Sequence, residues 1–170
     1  MLKIAGCILI FASCCGAGFI KAASYRARRA ELENTLELVR LLGMEICYRK
    51  DSLKKTFETV SSRKECWFAS ILSECGKMMG EHVPLMQAWN SSLKELESRC
   101  PLAEKDIEIL GDISMGLGRS DAGSQKDLLM PAIARLEENV REAKEQELSQ
   151  GRMYRGLGIA AGTVISIMLI

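Results

Sequence analysis

The sequence predicts an all-α protein: an antiparallel bundle of about six helices, facing the cytosol, with a transmembrane helix before it and another after it. Three observations carry that expectation. The chain of 170 residues holds no charged residue from Ile4 to Ile20 and none from Gly156 to Ile170, and every acid lies between these stretches. In the middle, apolar residues recur at helical spacings of three and four. With 3 Pro and 5% aromatic residues, the chain shows no sustained alternation of the kind that marks strands.

The first segment, residues 1–21, is long enough to cross a bilayer. Its 17 uncharged residues rise ~25 Å as a helix, against a hydrocarbon core of ~30 Å. The last, residues 153–170, is shorter. Its uncharged part covers ~22 Å, and Met153 and Tyr154 extend it if the Arg155 guanidinium reaches back to the headgroups. Lys21, Arg26, Arg28 and Arg29 follow the first segment, and Arg152 and Arg155 precede the second, against Lys3 outside. The positive-inside tendency therefore places the central domain, residues 22–152, in the cytosol and both termini on the far side. Two other readings of the N-terminus fit less well. A cleaved signal peptide lacks a small-x-small site before a polar start. A lipobox ending at Cys14 would be led by Phe11 and would leave Cys15 to Ile20 as an apolar start to a soluble protein.

The central helices follow in order. The first runs from about Tyr25 to Arg49, with Leu32, Leu36, Val39 and Ile46 on one buried face and Leu42 and Met44 near it. Ser52 caps a short second helix carrying Leu53, Phe57 and Val60. Phe68, Ile71, Leu72, Cys75, Met78 and Met79 mark a third, ending around Gly80. Pro84 suits the first turn of a fourth, with Leu85, Ala88, Trp89, Leu93 and Leu96. Pro101 opens a fifth, with Leu102, Ile109, Leu110, Ile113 and Leu117. After a Gly-rich break from Gly116 to Gly123 comes a sixth, with Leu129, Ile133, Leu136, Val140 and Ala143. Pro131 requires that this helix bend or restart. About 130 residues in short-connected helices suffice for one core.

Charge and motif exclude several functions. Of 23 Lys and Arg, setting Lys3 aside leaves 22 in the middle against 22 Asp and Glu. A neutral body gives no reason to expect nucleic acid as a partner. The 7 Cys form no CxxC: Cys7, Cys14 and Cys15 sit in the first apolar segment, and Cys47, Cys66, Cys75 and Cys100 read as reduced thiols packed in a core. Cys66, Cys75, Cys100 and His82 match no compact zinc spacing. Gly116, Leu117, Gly118 begins a GxGxxG that Asp121 breaks, and the glycine spacing of Gly111 to Gly116 lacks the phosphate-binding Lys, Leu117 standing in its place. The simpler account is a helix end with glycines in unusual backbone angles and Ser120 or Asp121 capping the next helix. Neither a catalytic site, a cofactor nor a small-molecule substrate is expected. Asp112, Asp121 and Asp127 would have to converge for a membrane-tethered enzyme, and nothing in their spacing brings them together. A lipoprotein solute binder or sensor is the remaining alternative.

Two further patterns are candidates for contact. Gly158 and Gly162 form a GxxxG, and Ala12 and Gly16 a small-x-x-x-small pair, through which helices in lipid approach closely. Glu137, Glu138, Arg141, Glu142, Lys144 and Glu145 form a charged face that either meets a protein partner or is simply solvated.

The run Leu110, Gly111, then Leu117, Gly118, Arg119, Ser120, Asp121 and Gln125 resembles the LG, LG-x-SD, Gln signature of the stage III sporulation protein AB family. Arg152, Met153, Tyr154, Arg155, Gly156, Leu157 and Gly158 resemble its K-M-Y-R-x-L-G run. Leu41, Leu42, Glu45, Ile46 and Tyr48, followed by Leu53, resemble its L-x-x-E-I-x-Y element, with Ser52 in place of the usual Pro. The resemblance covers the whole chain. It implies a protein of the mother-cell membrane around the engulfed forespore, in a transenvelope complex, whose soluble domain is similar to the cytoplasmic domain of the F-type platform protein of type II secretion. Such platforms carry two such domains, so the resemblance also suggests self-association. It implies scaffolding: the bundle docking an AAA-like ATPase of the complex, the spans contacting other membrane subunits.

Overall fold

A computed structural model of the chain describes residues 2–49, 52–117 and 122–169, and within them the side chains other than those of 2–5, 7, 47–49, 122–128, 166 and 169. All six long elements are α-helices: α1 (Leu2–Arg49), α2 (Leu53–Ser61), α3 (Trp67–Gly80), α4 (Leu85–Leu96), α5 (Glu104–Leu117) and α6 (Ala122–Leu169), with a 3₁₀ turn at Glu97–Arg99 after α4. The chain divides into two compact units. One is residues 30–140, and the other joins residues 1–29 to residues 141–170.

The central unit is the predicted bundle, and its details correct the expectation in several places. The sequence separates the apolar N-terminal segment from a helix beginning near Tyr25, whereas α1 is one helix of 48 residues. The charges that begin at Lys21 end the apolar run, but Ala22, Ala23, Ala27 and Ala30 among arginines are strong helix formers, so the backbone continues. Within the bundle α1 is buried on more than one face: Glu31, Leu32, Thr35, Leu36, Leu38, Val39 and Leu42 are all inside, while Met44 is half exposed.

Ser52 caps α2 as expected, its hydroxyl accepting from the Lys55 N–H at 3.5 Å. The third helix ends at Gly80, and the left-handed residue that closes it is His82, at φ 66°. The Val83 N–H donates to the Met78 carbonyl at 3.1 Å and the His82 N–H to Met79 at 3.2 Å, the two bonds of a Schellman closure. Pro84 is the N-cap of α4 rather than part of its first turn. The fifth helix starts at Glu104, not Pro101, with the Ala103 carbonyl accepting from Asp106 and Ile107. The sixth runs through Pro131 without restarting. No described glycine takes a positive φ, and Gly111 lies inside α5.

The core between α2, α3 and α4 is aromatic. The Trp89 ring meets Phe57 at 6.2 Å and the edge of Phe68 at 6.1 Å, geometries that ring quadrupoles favour. The Trp67 indole N–H donates to the Leu96 carbonyl at 2.9 Å, supplying a partner at the end of α4 where the helix has none of its own.

Two carboxylates sit inside this unit. Glu31 on α1 accepts from the Phe68 N–H at 2.9 Å. The N-cap of α3, Cys66, makes no side-chain cap bond, so the cap comes from a different helix. Asp106 is 0% exposed. One of its oxygens accepts from the Ala103 N–H at 2.9 Å and the other from Asn139 Nδ2 at 2.7 Å. The first bond is the reciprocal half of a capping box, and the second fastens α5 to α6. Exposed pairs such as Arg135–Asp112 at 2.6 Å contribute little by comparison. Removing the Asp106 carboxylate strands two half-buried donors, so Asp106→Ala is expected to cost about 2–3 kcal/mol and Asn139→Ala about 1–2 kcal/mol. Urea unfolding of the full chain in detergent, with the double variant, should return a coupling of about 1 kcal/mol.

Candidate functional site

The unit formed by the two chain ends holds the candidate helix-packing residues. As residue numbers rise along α1 they fall along α6. The Phe11 ring lies against Gly162, Cys15 Sγ lies 4.0 Å from the Gly158 carbonyl oxygen, and the Tyr25 ring stacks on Tyr154 at 6.0 Å. Arg28 then donates to Gln146 at 2.9 Å and Arg29 pairs with Glu147 at 2.5 Å. The two segments are therefore an antiparallel hairpin of helices.

Glycine makes their contact possible. A Cβ on Gly158 would stand 2.9 Å from the Cys14 carbonyl oxygen, and one on Gly18 would stand 2.6 Å from that of Tyr154. Gly18 and Gly158 themselves meet so closely that a Cβ on either would lie within 3.3 Å of the other's Cα. Any side chain at these positions would force the backbones apart. Gly162 is in the same stripe, where a Cβ would meet the Phe11 ring at 2.8 Å and the Cys14 Cβ at 3.5 Å.

On α1 the residues that meet α6 are not the pair the sequence singles out. Ala12 is exposed, and a Cβ on Gly16 would touch nothing within 4 Å. The contacting stripe is Phe11, Cys14, Cys15, Gly18, Ala22 and Tyr25, at steps of three and four. At 100° per residue Ala12 and Gly16 sit roughly 110–150° round the axis from it. Gly18 is four residues after Cys14, a second small-residue pair on the face that meets α6.

The charged residues on α6 are divided. Glu137 pairs with Arg40, and Glu142 accepts from Gln146 at 2.9 Å. Glu138, Arg141, Lys144 and Glu145 are exposed. Glu137 and Glu138 belong to the bundle unit, and Arg141 onward to the hairpin unit. Of the signature residues, Leu110 and Leu117 are buried in the core and Gly111 is inside α5. Gly118, Arg119, Ser120 and Asp121 lie outside the described residues, as do the side chains of Gln125 and Tyr48.

The three described thiols outside the hairpin are held protonated. Burial pushes Cys75 up to about 11 from an ordinary 9.0. Burial also raises Cys66; the Ala69 amide opposes this, and the Glu31 carboxylate beside the thiol adds to it. Cys100 is raised by burial, with Glu31, Asp106 and Glu97 contributing against the Leu102 amide. Cys75 is in the core as expected, while Cys66 and Cys100 are only half buried. His82, at the exposed end of α3, stands apart from buried Cys75 in the middle of that helix.

A family model described as stage III sporulation protein AB matches residues 3–170. The chain belongs to that family. It is 23% identical over 170 residues to the stage III sporulation protein AB of Bacillus subtilis (strain 168), covering 99% of each chain. A solved structure of a stage III sporulation protein AB superposes with a TM-score of 0.67 at 19% identity, over 72% of this chain and 98% of that one. The helical fold is thus shared with that protein over the 72% of this chain that superposes.

Two measurements test the geometry of this family member. A Cβ at residue 162 falls 3.5 Å from that of Cys14, inside the range a disulfide spans once the Phe11 ring swings aside. Gly162→Cys should therefore form an intrachain disulfide under mild oxidant in membranes, seen by non-reducing peptide mapping and lost in Cys14→Ser. The Cys75 thiol keeps its proton in the folded chain to about pH 11, while the unfolded chain loses it near 9.0. Its contribution to stability is full below pH 9.0 and declines as the pH rises toward 11. The urea midpoint should fall across that window, and fall less in Cys75→Ala.

Proposed function

We propose that this chain is a non-enzymatic scaffold anchored in the membrane at both ends, a subunit of the sporulation transenvelope complex in the mother-cell membrane around the forespore. The observation that carries the reading is the outer surface of the hairpin. Ile8 is 62% exposed, Leu9 69%, Ile20 74%, Val164 63% and Ile167 75%, a density of bare apolar side chains that water does not tolerate and lipid does. By length and composition, α1 contains an 18-residue stretch apolar enough to cross a membrane, with a mean hydropathy of 1.5. The end of α6 carries equally bare apolar residues and lies antiparallel to the start of α1, which supports reading it as a second span. Lys21, Arg26, Arg152 and Arg155 then mark the cytosolic side, with the Lys21 ammonium 5.8 Å from the Tyr25 ring centre, an arrangement suited to the headgroup layer.

The bundle is the part that meets protein. In this reading its charged residues Glu137 and Glu138, and Arg141, Glu142, Lys144 and Glu145 of the hairpin unit, are the candidates for docking the complex's AAA-like ATPase, while the membrane faces meet other subunits or a second copy. Two assays test side and partner separately. Protease added to the cytosolic face of mother-cell membranes should digest the bundle and leave carbonate-resistant end fragments; release of the whole chain by carbonate would defeat the anchored reading. A photo-crosslinker at Glu138 or Lys144 should capture the ATPase, and reversing Glu138, Lys144 and Glu145 together should reduce capture about tenfold. Undiminished capture would clear those residues of the contact.

A further inference from the structure

One concave feature of the bundle lies apart from every residue considered above as a contact. A groove of about 710 Å³, open to solvent, runs over the outer face of α3 between α2 and the end of α4. Its volume falls within the range of clefts that hold ligands, ~300–1,000 Å³. The floor is made of small side chains, Ala69, Ser70 and Ser73, and the walls each bring a carboxylate: Glu58 from α2, Glu65 from the α2–α3 linker, Glu95 from α4.

The charge in this groove is unbalanced. Two lysines line it, Lys64 and Lys77, and both are engaged within the chain, Lys64 by Glu37 and Lys77 by Glu74. Glu58 has only a distant partner, Lys54 at 3.9 Å. Among the described residues Glu65 and Glu95 meet no cation at all. The Ser70 hydroxyl donates to the Cys66 carbonyl at 3.2 Å, so Ser70 turns its donor toward its own helix and leaves its oxygen as an acceptor for the groove.

We propose that this groove docks a cationic helix of a partner protein, its lysines or arginines meeting Glu58, Glu65 and Glu95 while its backbone lies over Ala69, Ser70 and Ser73. A trough between two helices with a low floor is the shape into which the ridges of a third helix pack. Walls that carry net negative charge and accept hydrogen bonds select a basic occupant over an acidic or anionic one. The inference goes beyond the scaffold reading and does not depend on which protein supplies the helix.

The test uses the full-length chain in a neutral detergent and a fluorescent helical peptide of lysine and alanine, with lysines every third and fourth position. A glutamate counterpart of the peptide and chain-free micelles are the controls. Saturable binding should appear for the lysine peptide alone and weaken with salt. Glu65→Lys or Glu95→Lys should weaken it about tenfold. Ser70→Trp, which fills an exposed part of the floor without changing charge, should do the same, with circular dichroism confirming the fold. Glu108→Lys, exposed on α5 and outside the groove, should leave binding unchanged. Equal loss in Glu108→Lys, no effect of Ser70→Trp, binding of the glutamate peptide, or no binding of the lysine peptide would each overturn the proposal.

Discussion

The bundle rests on two carboxylates removed from water. Burying a carboxylate is tolerable only when its oxygens are hydrogen-bonded; Glu31 is bonded by a backbone amide at the start of α3, and Asp106 by the backbone amide that precedes its own helix and by the Asn139 side chain on α6. Glu31 fixes the first turn of α3 against α1 through the Phe68 N–H. Asp106 holds the first turn of α5 through Ala103 and the flank of α6 through Asn139. Hydrophobic contacts between helices tolerate sliding by a residue or a small rotation. A buried acceptor does not, because a displaced helix leaves the carboxylate unpaired at a cost of several kcal/mol. The apolar residues supply most of the stability and these two acids select one register.

The same division between bulk attraction and geometric selection recurs in the hairpin of chain ends by different means. On the proposed reading of the hairpin as membrane-embedded, there is no hydrophobic drive between its helices, since the lipid tails are as apolar as the side chains. What remains is close packing, and it depends on the absence of side chains at Gly18 and Gly158. The Tyr25–Tyr154 stack and the Arg29–Glu147 pair continue the alignment where the apolar stripe ends. Polar selectors serve the bundle and glycine selectors the hairpin.

Much of this was legible in the sequence, and the parts that were not have a common cause. Ser52 was readable because a cap acts on the turn that follows it. The helices α2 to α5 were readable because their stripes are narrow and their breaks carry Gly, Pro or Ser. Glu31 was hidden because its partner lies 37 residues away and a Glu in a charged run looks solvated. Asp106 was hidden for the same reason, its second partner being Asn139. The length of α1 was misjudged because hydropathy changes at Lys21 and backbone preference does not. In the first apolar segment the small-residue spacing pointed to Ala12 and Gly16, but spacing fixes a periodicity and not a rotation. Which stripe of α1 faces α6 is decided by Gly158 and Gly162 on the other helix.

That rotation changes what the glycines of the hairpin can say about partners. Gly158 and Gly162 are occupied within the chain by Cys14, Gly18 and Phe11, so a bulky residue there would first separate the two ends of the same molecule. Loss of other subunits in such a variant would report a broken hairpin and not a damaged partner surface. The face of α1 that bears Ala12 and Gly16 has the opposite standing: a Cβ added at Gly16 meets open space, so bulk on that face leaves the hairpin intact. Substitutions on the two faces therefore separate assembly within the chain from any assembly between chains, and under the proposed scaffold role a contact with another subunit is to be sought on the second.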